Sequence, residues 1–226
     1  MTDAMAVKVQ SIENQRLRRV TGLALGGLLC LSGCLGSIIP EPEASRLFTL
    51  PPSSAAPPQL ESAWRNLLVD ELNPAPALRS DRLLAIGASG EVQRLGDARW
   101  IARPAELVRA GLASRLSAMG AAGSVDRQAL RFAADLRVLG ELQAFQYDPE
   151  QRSAVLTLDL HLLCAQANRS LDDRQFSATV DSSADVTSLI GAFSSATDQV
   201  AVEVAQWIAA HQPSDCAVVK AGTPQE

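Results

Sequence analysis

The sequence predicts an α+β domain: a mostly antiparallel sheet with two helices packed on one face, in the chain order strands, helix, strands, helix. Three patterns carry that expectation. Phe132–Ala144 and Ala154–Cys164 alternate apolar with polar residues, the period of half-buried strands. The segments opening at Pro104 and Asp185 instead repeat apolar residues at helical spacing. Apolar residues form 47% of the 226, enough to bury a core, while aromatics are only 4%.

The amino terminus lies outside this domain. Lys8, Arg16, Arg18 and Arg19 crowd ahead of an uncharged apolar run, Val20 to Leu31. Twelve helical residues span about 18 Å, too short for a hydrocarbon core of roughly 30 Å. Gly22, Gly26 and Gly27 argue against a buried core helix, so residues 1–33 read as a secretory signal. The run ends in Leu31-Ser32-Gly33-Cys34, the layout of a bacterial lipobox: a hydrophobic residue, two small residues that admit the peptidase, and a thiol to carry diacylglycerol. Leu35 follows where an aspartate would resemble an inner-membrane retention signal. The expectation is a lipoprotein acylated on Cys34, carried on the outer membrane of a Gram-negative bacterium and facing the periplasm. Its acyl chains hold it there, each buried methylene adding about 0.8 kcal/mol. Removing residues 1–33 takes four positive and two negative charges, and changes the net charge from −5 to −7. So acidic a chain is not expected to bind nucleic acid, which needs a basic surface.

Residues 34–45 are expected to be the lipidated terminus and a flexible tether, 46–213 the domain, and 214–226 a tail. Prolines continue to about Leu60, so this whole stretch reads as a semi-extended spacer, with Arg46–Leu50 embedded in it as a first edge strand. Asn66–Asp70 is a strand ahead of Pro74, and Leu83–Ala88 and Glu91–Leu95 are two short strands punctuated by Gly87 and Gly90. Pro104 opens the first helix, whose Val108, Leu112, Leu116 and Met119 share one face, and Gly120 closes it. In the strand Phe132–Ala144 the even positions, Ala144 included, are apolar. Asp148-Pro149 turns the chain into Ala154–Cys164, where Leu156, Leu158, Leu160 and Leu162 share a face. Asp172-Asp173 reads as a further hairpin turn, before a strand near Arg174–Val180. The closing helix starts at Asp185 as N-cap and carries an apolar stripe from Val186 to Ile208.

Few residues suggest chemistry. There is no nucleophile elbow, phosphate loop, paired-His motif or CxxC, so no catalytic residue, cofactor or metal is expected. Ser89 lacks the G-x-S-x-G spacing and reads as a turn. His161 sits on the polar face of a strand, and His211 in the last helical turn, where a cation suits the helix dipole. Of four cysteines, Cys30 leaves with the signal and Cys34 is acylated. Cys164 lies on the strand face the helices should cover, and Cys216 follows the helix that covers it. In an oxidising compartment the two would pair if their Cα atoms come within about 7 Å. The alternative is a buried free Cys164 beside a disordered Cys216.

Four segments together resemble the ABC-type transport auxiliary lipoproteins, the PqiC-like family. They are the lipobox and linker ending Phe48-Thr49-Leu50-Pro51; Leu78-Arg79-Ser80-Asp81-Arg82-Leu83; Ala98-Arg99-Trp100 with Pro104-Ala105-Glu106-Leu107-Val108; and Leu142-Gln143-Ala144-Phe145 with the closing Trp207-Ile208. The family commonly has Ile where Leu83 stands, and Cys164 and Cys216 fall outside the pattern. The resemblance implies a non-enzymatic role: an outer-membrane partner that docks the far end of a periplasm-spanning MCE protein in an ABC-driven lipid transport system. It is compatible with a homo-oligomer. Other classes share the anchor: a lipoprotein assisting an outer-membrane barrel, a regulator of a peptidoglycan synthase, or a lipid hydrolase.

Overall fold

The computed structural model describes residues 45–53, 56–128 and 133–216. Among these, eight strands form a single sheet with two α-helices, an α+β fold. β1 (Arg46–Phe48), β2 (Asn66–Pro74), β3 (Arg82–Ile86) and β4 (Val92–Trp100) precede α1 (Pro104–Ala118). β5 (Ser124–Asp126), β6 (Leu136–Asp148), β7 (Ser153–Cys164) and β8 (Arg169–Asp181) follow, before α2 (Val186–Ala209). The long ladders β6–β7 and β7–β8 are antiparallel, as is β3–β4, whereas the parallel contacts β1–β4, β2–β5, β2–β6 and β3–β6 are short. The sheet branches at β6: β7 takes one edge, and β2 and β3 share the other at opposite ends.

The core lies between the sheet and the helices. From α1 it takes Val108, Leu112 and Leu116, from α2 Leu189, Phe193, Val200, Val204 and Ile208, and from β7 the leucines 156, 158, 160 and 162. Asp185 caps α2 by accepting a hydrogen bond from Ser188 N. Gly120, at φ +69°, takes the left-handed turn after α1.

Five expectations are corrected by the structure. Alternation along β6 changes phase: Leu136, Val138 and Leu142 are buried, but then Phe145 and Tyr147, leaving Ala144 on the other side. The cause is a bulge, since Leu142 pairs with Leu158 and Ala144 with Thr157, so that Gln143 is supernumerary. Asp172 and Asp173 do not turn the chain. They lie inside β8, and the hairpin bends earlier, at 165–168, where Asn168 adopts φ 45°. β2 continues to Pro74 and β4 to Trp100, the latter carried past an irregularity that includes Gly96 at φ +57°. The proline-rich stretch is also more than a spacer, because Leu50 and Leu60 pack against the core.

At Gly140 the backbone of β7 leaves no room for a side chain on β6. A Cβ there would sit 1.9 Å from the carbonyl oxygen of Asp159, a backbone atom that cannot rotate away. Gly140→Ala is expected to cost roughly 1–3 kcal/mol, and to lower Tm by about 2–12 °C. Gly191, which has open space around it in α2, is the control. Gly191→Ala should leave Tm level or raise it, because alanine is the better helix former. Equal losses at both positions would remove the steric explanation.

Candidate functional site

The lipobox residues Leu31, Ser32, Gly33 and Cys34 lie outside the described residues, as does Cys30. What the structure does show is how the segment that follows them is fastened to the domain. β1 lies parallel to β4, with Phe48 opposite Trp100, and Ile101 N donates to Phe48 O at 2.8 Å. Trp100 is buried, in ring contact with Phe145 and Phe193 at 5.2 and 5.5 Å. Beyond β1 the chain crosses both helices. Leu50 reaches over α1 because Gly111 has no side chain: a Cβ there would fall 2.8 Å from Leu50 Cδ2.

Arg115 of α1 secures this crossing. It is 6% exposed, paired with Asp198 of α2, and donates to Pro51 O at 3.2 Å and to Ser194 Oγ at 2.9 Å. Ser194 Oγ in turn donates to Pro51 O at 3.0 Å. Downstream, Gln59 Nε2 and Leu60 N donate to the last carbonyls of α1, those of Ala118 and Met119. The segment therefore supplies part of the helix's missing C-terminal partners. Arg115 was not anticipated. A charge three residues after Leu112 and four before Met119, on the edge of an apolar helical stripe, was the available signal.

The residues singled out for chemistry occupy ordinary positions. Ser89 lies in an exposed turn and accepts a hydrogen bond from Glu91 N. His161 faces away from the helices in a column of cross-strand polar pairs: His161–Asp173 at 2.6 Å, Gln175–Asp159 at 2.7 Å and Thr157–Ser177 at 2.9 Å. His211 lies just past α2, its Nδ1 2.9 Å from Trp207 O. No group of His, Cys, Asp and Glu among the described residues could hold a metal ion. Among them, too, no helix is long and apolar enough to cross a membrane.

Asp172 has an electrostatic role at the end of α2. Trp207 Nε1 donates to Asp172 Oδ2 at 2.7 Å, and this bond holds the carboxyl below its ordinary value. Asp173 N, His211 and Arg174 act in the same direction and desolvation opposes them. A carboxyl lowered on folding stabilises above its unfolded pKa, about 3.9, and loses that contribution as pH falls through the folded value. Asp172→Asn should therefore flatten the acid limb of Tm against pH. An unchanged limb would show that the bond is not coupled to folding.

The same region joins the cysteines. Cys164, at the end of β7, is bonded to Cys216 in the 3-10 turn Pro213–Cys216, with Cα atoms 5.5 Å apart. The pair closes β8 and α2 into one loop.

Residues 48–205 match the family model for the ABC-type transport auxiliary lipoprotein component. The chain belongs to this family. Its members are auxiliary lipoproteins of ABC-type transport, which implies a membrane-anchored protein in the periplasm and not a known enzyme family. A crystal structure of a protein from Xanthomonas campestris has the same fold, with TM-score 0.61 and 21% identity over 73% of this chain and 95% of that one. A second solved structure, described as an uncharacterized protein, gives TM-score 0.59 and 15% identity over 74% and 99% of the two chains. No curated protein matches. Within the auxiliary lipoprotein domain, three of the segments that carry the resemblance meet at one corner: Phe48 opposite Trp100, Arg82 opposite Arg99, and Asp81 O accepting from Trp100 N at 2.7 Å.

Proposed function

We propose that this auxiliary lipoprotein is anchored through diacylglyceryl-Cys34 in the outer membrane, faces the periplasm, and docks the MCE protein of an ABC-driven phospholipid transport system. The observation that carries the reading is the placement of Leu31-Ser32-Gly33-Cys34 after a short apolar run and just ahead of a domain of this family. Its part is that of a receptor or collar without catalysis of its own, and a ring-like MCE assembly would be matched by a homo-oligomer of this chain.

The test is crosslinking in intact membranes. Wild-type chain should capture an MCE protein, and Cys34→Ala should lose both the thioether-linked lipid and at least tenfold of that crosslink, about 1.4 kcal/mol of effective association. Recovery of an outer-membrane barrel or a peptidoglycan synthase in its place would overturn the reading.

A further inference from the structure

The described residues expose three large hydrophobic side chains, and two of them, Leu47 (61% exposed) and Ile101 (64%), lie at the corner where β1 meets β4. Leu47 pairs with Arg99, and Arg99 with Arg82, so these three form one row across β1, β4 and β3. Side chains directly opposite one another share a sheet face, and Ile101, two residues beyond Arg99, continues along it. Trp100, between Arg99 and Ile101, and Phe48, next to Leu47, face the other way, into the core. Next to the row is a shallow groove lined by Arg79, Asp81, Ile101, Arg103 and Glu106. Asp81 is already engaged by Arg99 at 3.2 Å. Four arginines and two exposed aliphatic side chains thus face two carboxylates, on a mature chain whose net charge is −7.

We propose that this corner is the surface by which the domain rests on anionic lipid headgroups of its own membrane. The proposal builds on the anchored reading above. Two features select a lipid surface over other occupants. Arginine side chains beside aliphatic ones suit a headgroup boundary, where the guanidinium meets phosphate and the hydrocarbon sinks among acyl chains. The corner is also the part of the described chain nearest the anchor in sequence: ten residues lie between Cys34 and Ser45, at most about 40 Å of extended chain. Lying against the membrane would fix the direction in which the rest of the sheet faces the periplasm.

The test uses the full-length acylated protein in vesicles of phosphatidylethanolamine and phosphatidylglycerol containing a headgroup nitroxide lipid. An environment-sensitive fluorophore is attached to Leu47→Cys, to Ile101→Cys, or to Gln199→Cys on the exposed side of α2. Quenching at 47 and 101 should exceed that at 199 at least twofold. It should fall toward the value at 199 in phosphatidylcholine vesicles, or in Arg79→Gln/Arg103→Gln, with roughly fivefold weaker contact for each arginine lost. Both arginines are exposed, and an unchanged melting curve verifies that this variant is folded. Equal quenching at all three positions would overturn the proposal, since the tether alone would then account for proximity. So would concentration-dependent shielding at 47 and 101 without vesicles, which would assign the corner to a second copy of the chain. Mass spectrometry of Cys34 separates the two readings: an unmodified Cys34 with quenching still confined to 47 and 101 would sink the anchor and leave the lipid-facing corner standing.

Discussion

Arg115→Met should destabilise the domain by about 3 kcal/mol, the lower end of the range for breaking a buried ion pair. For a domain of this size that is a fall in Tm of roughly 6–12 °C. The lower end applies because Asp198, the partner left behind, keeps 26% of its side chain exposed and can recover some hydration. The loss is not that of one ion pair alone. Pro51 O and the Ser194 hydroxyl each lose the charged donor too, and keep only the hydrogen bond between them. Replacing both charges, in Arg115→Met/Asp198→Leu, should recover part of the stability, since apolar replacements of a buried pair are often neutral. It should not recover full protection of residues 50–53, because Pro51 O would keep only the Ser194 hydroxyl as a donor. Limited proteolysis therefore distinguishes the two consequences. A variant that melts like the wild type and is cut no faster would show that the arginine is incidental.

Cys164→Ala/Cys216→Ala should lose about 4 kcal/mol, the chain-entropy value for a loop of this length. The sequence separation across the bond is 52 residues. Because Cys164 is buried, the replaced side chain also leaves a small void beneath the end of α2. The measurement is denaturant unfolding under oxidising conditions, with the reduced wild type as comparison. If reductant leaves the wild-type midpoint where it was, the bond contributes nothing to equilibrium stability. Alkylation before reduction should leave both thiols unlabelled in folded protein from an oxidising compartment. Two labelled thiols would contradict the bond itself.

The parts of the fold legible in the sequence are those whose burial follows a regular period. α1, α2 and β7 each present one uninterrupted apolar face, and their residues are buried as that period requires. β6 could be followed only as far as Leu142. A bulge is a mismatch between two strands, and Gln143 alone gives no sign that Thr157 will pair with its neighbour. β5, with three residues, is too short to show any period. A turn at Asp172-Asp173 is incompatible with the pairing of Asp173 with His161, which the bend at 165–168 permits. The junction was hidden for a different reason. Prolines signal extended chain, but their carbonyls remain free acceptors, and hydropathy does not register the arginine that seeks them. At the cysteines the sequence offered both a bonded and a free reading, and the arrangement of β7 and α2 brings the bonded partners together.

The ring closed by Cys164 and Cys216 encloses all of β8 and α2. One peptide bond cut anywhere inside that ring leaves the chain in a single covalent piece, still joined to its amino-terminal end. Among periplasmic proteases, a nicked molecule of this kind can re-form its sheet and helix without having to find its missing half.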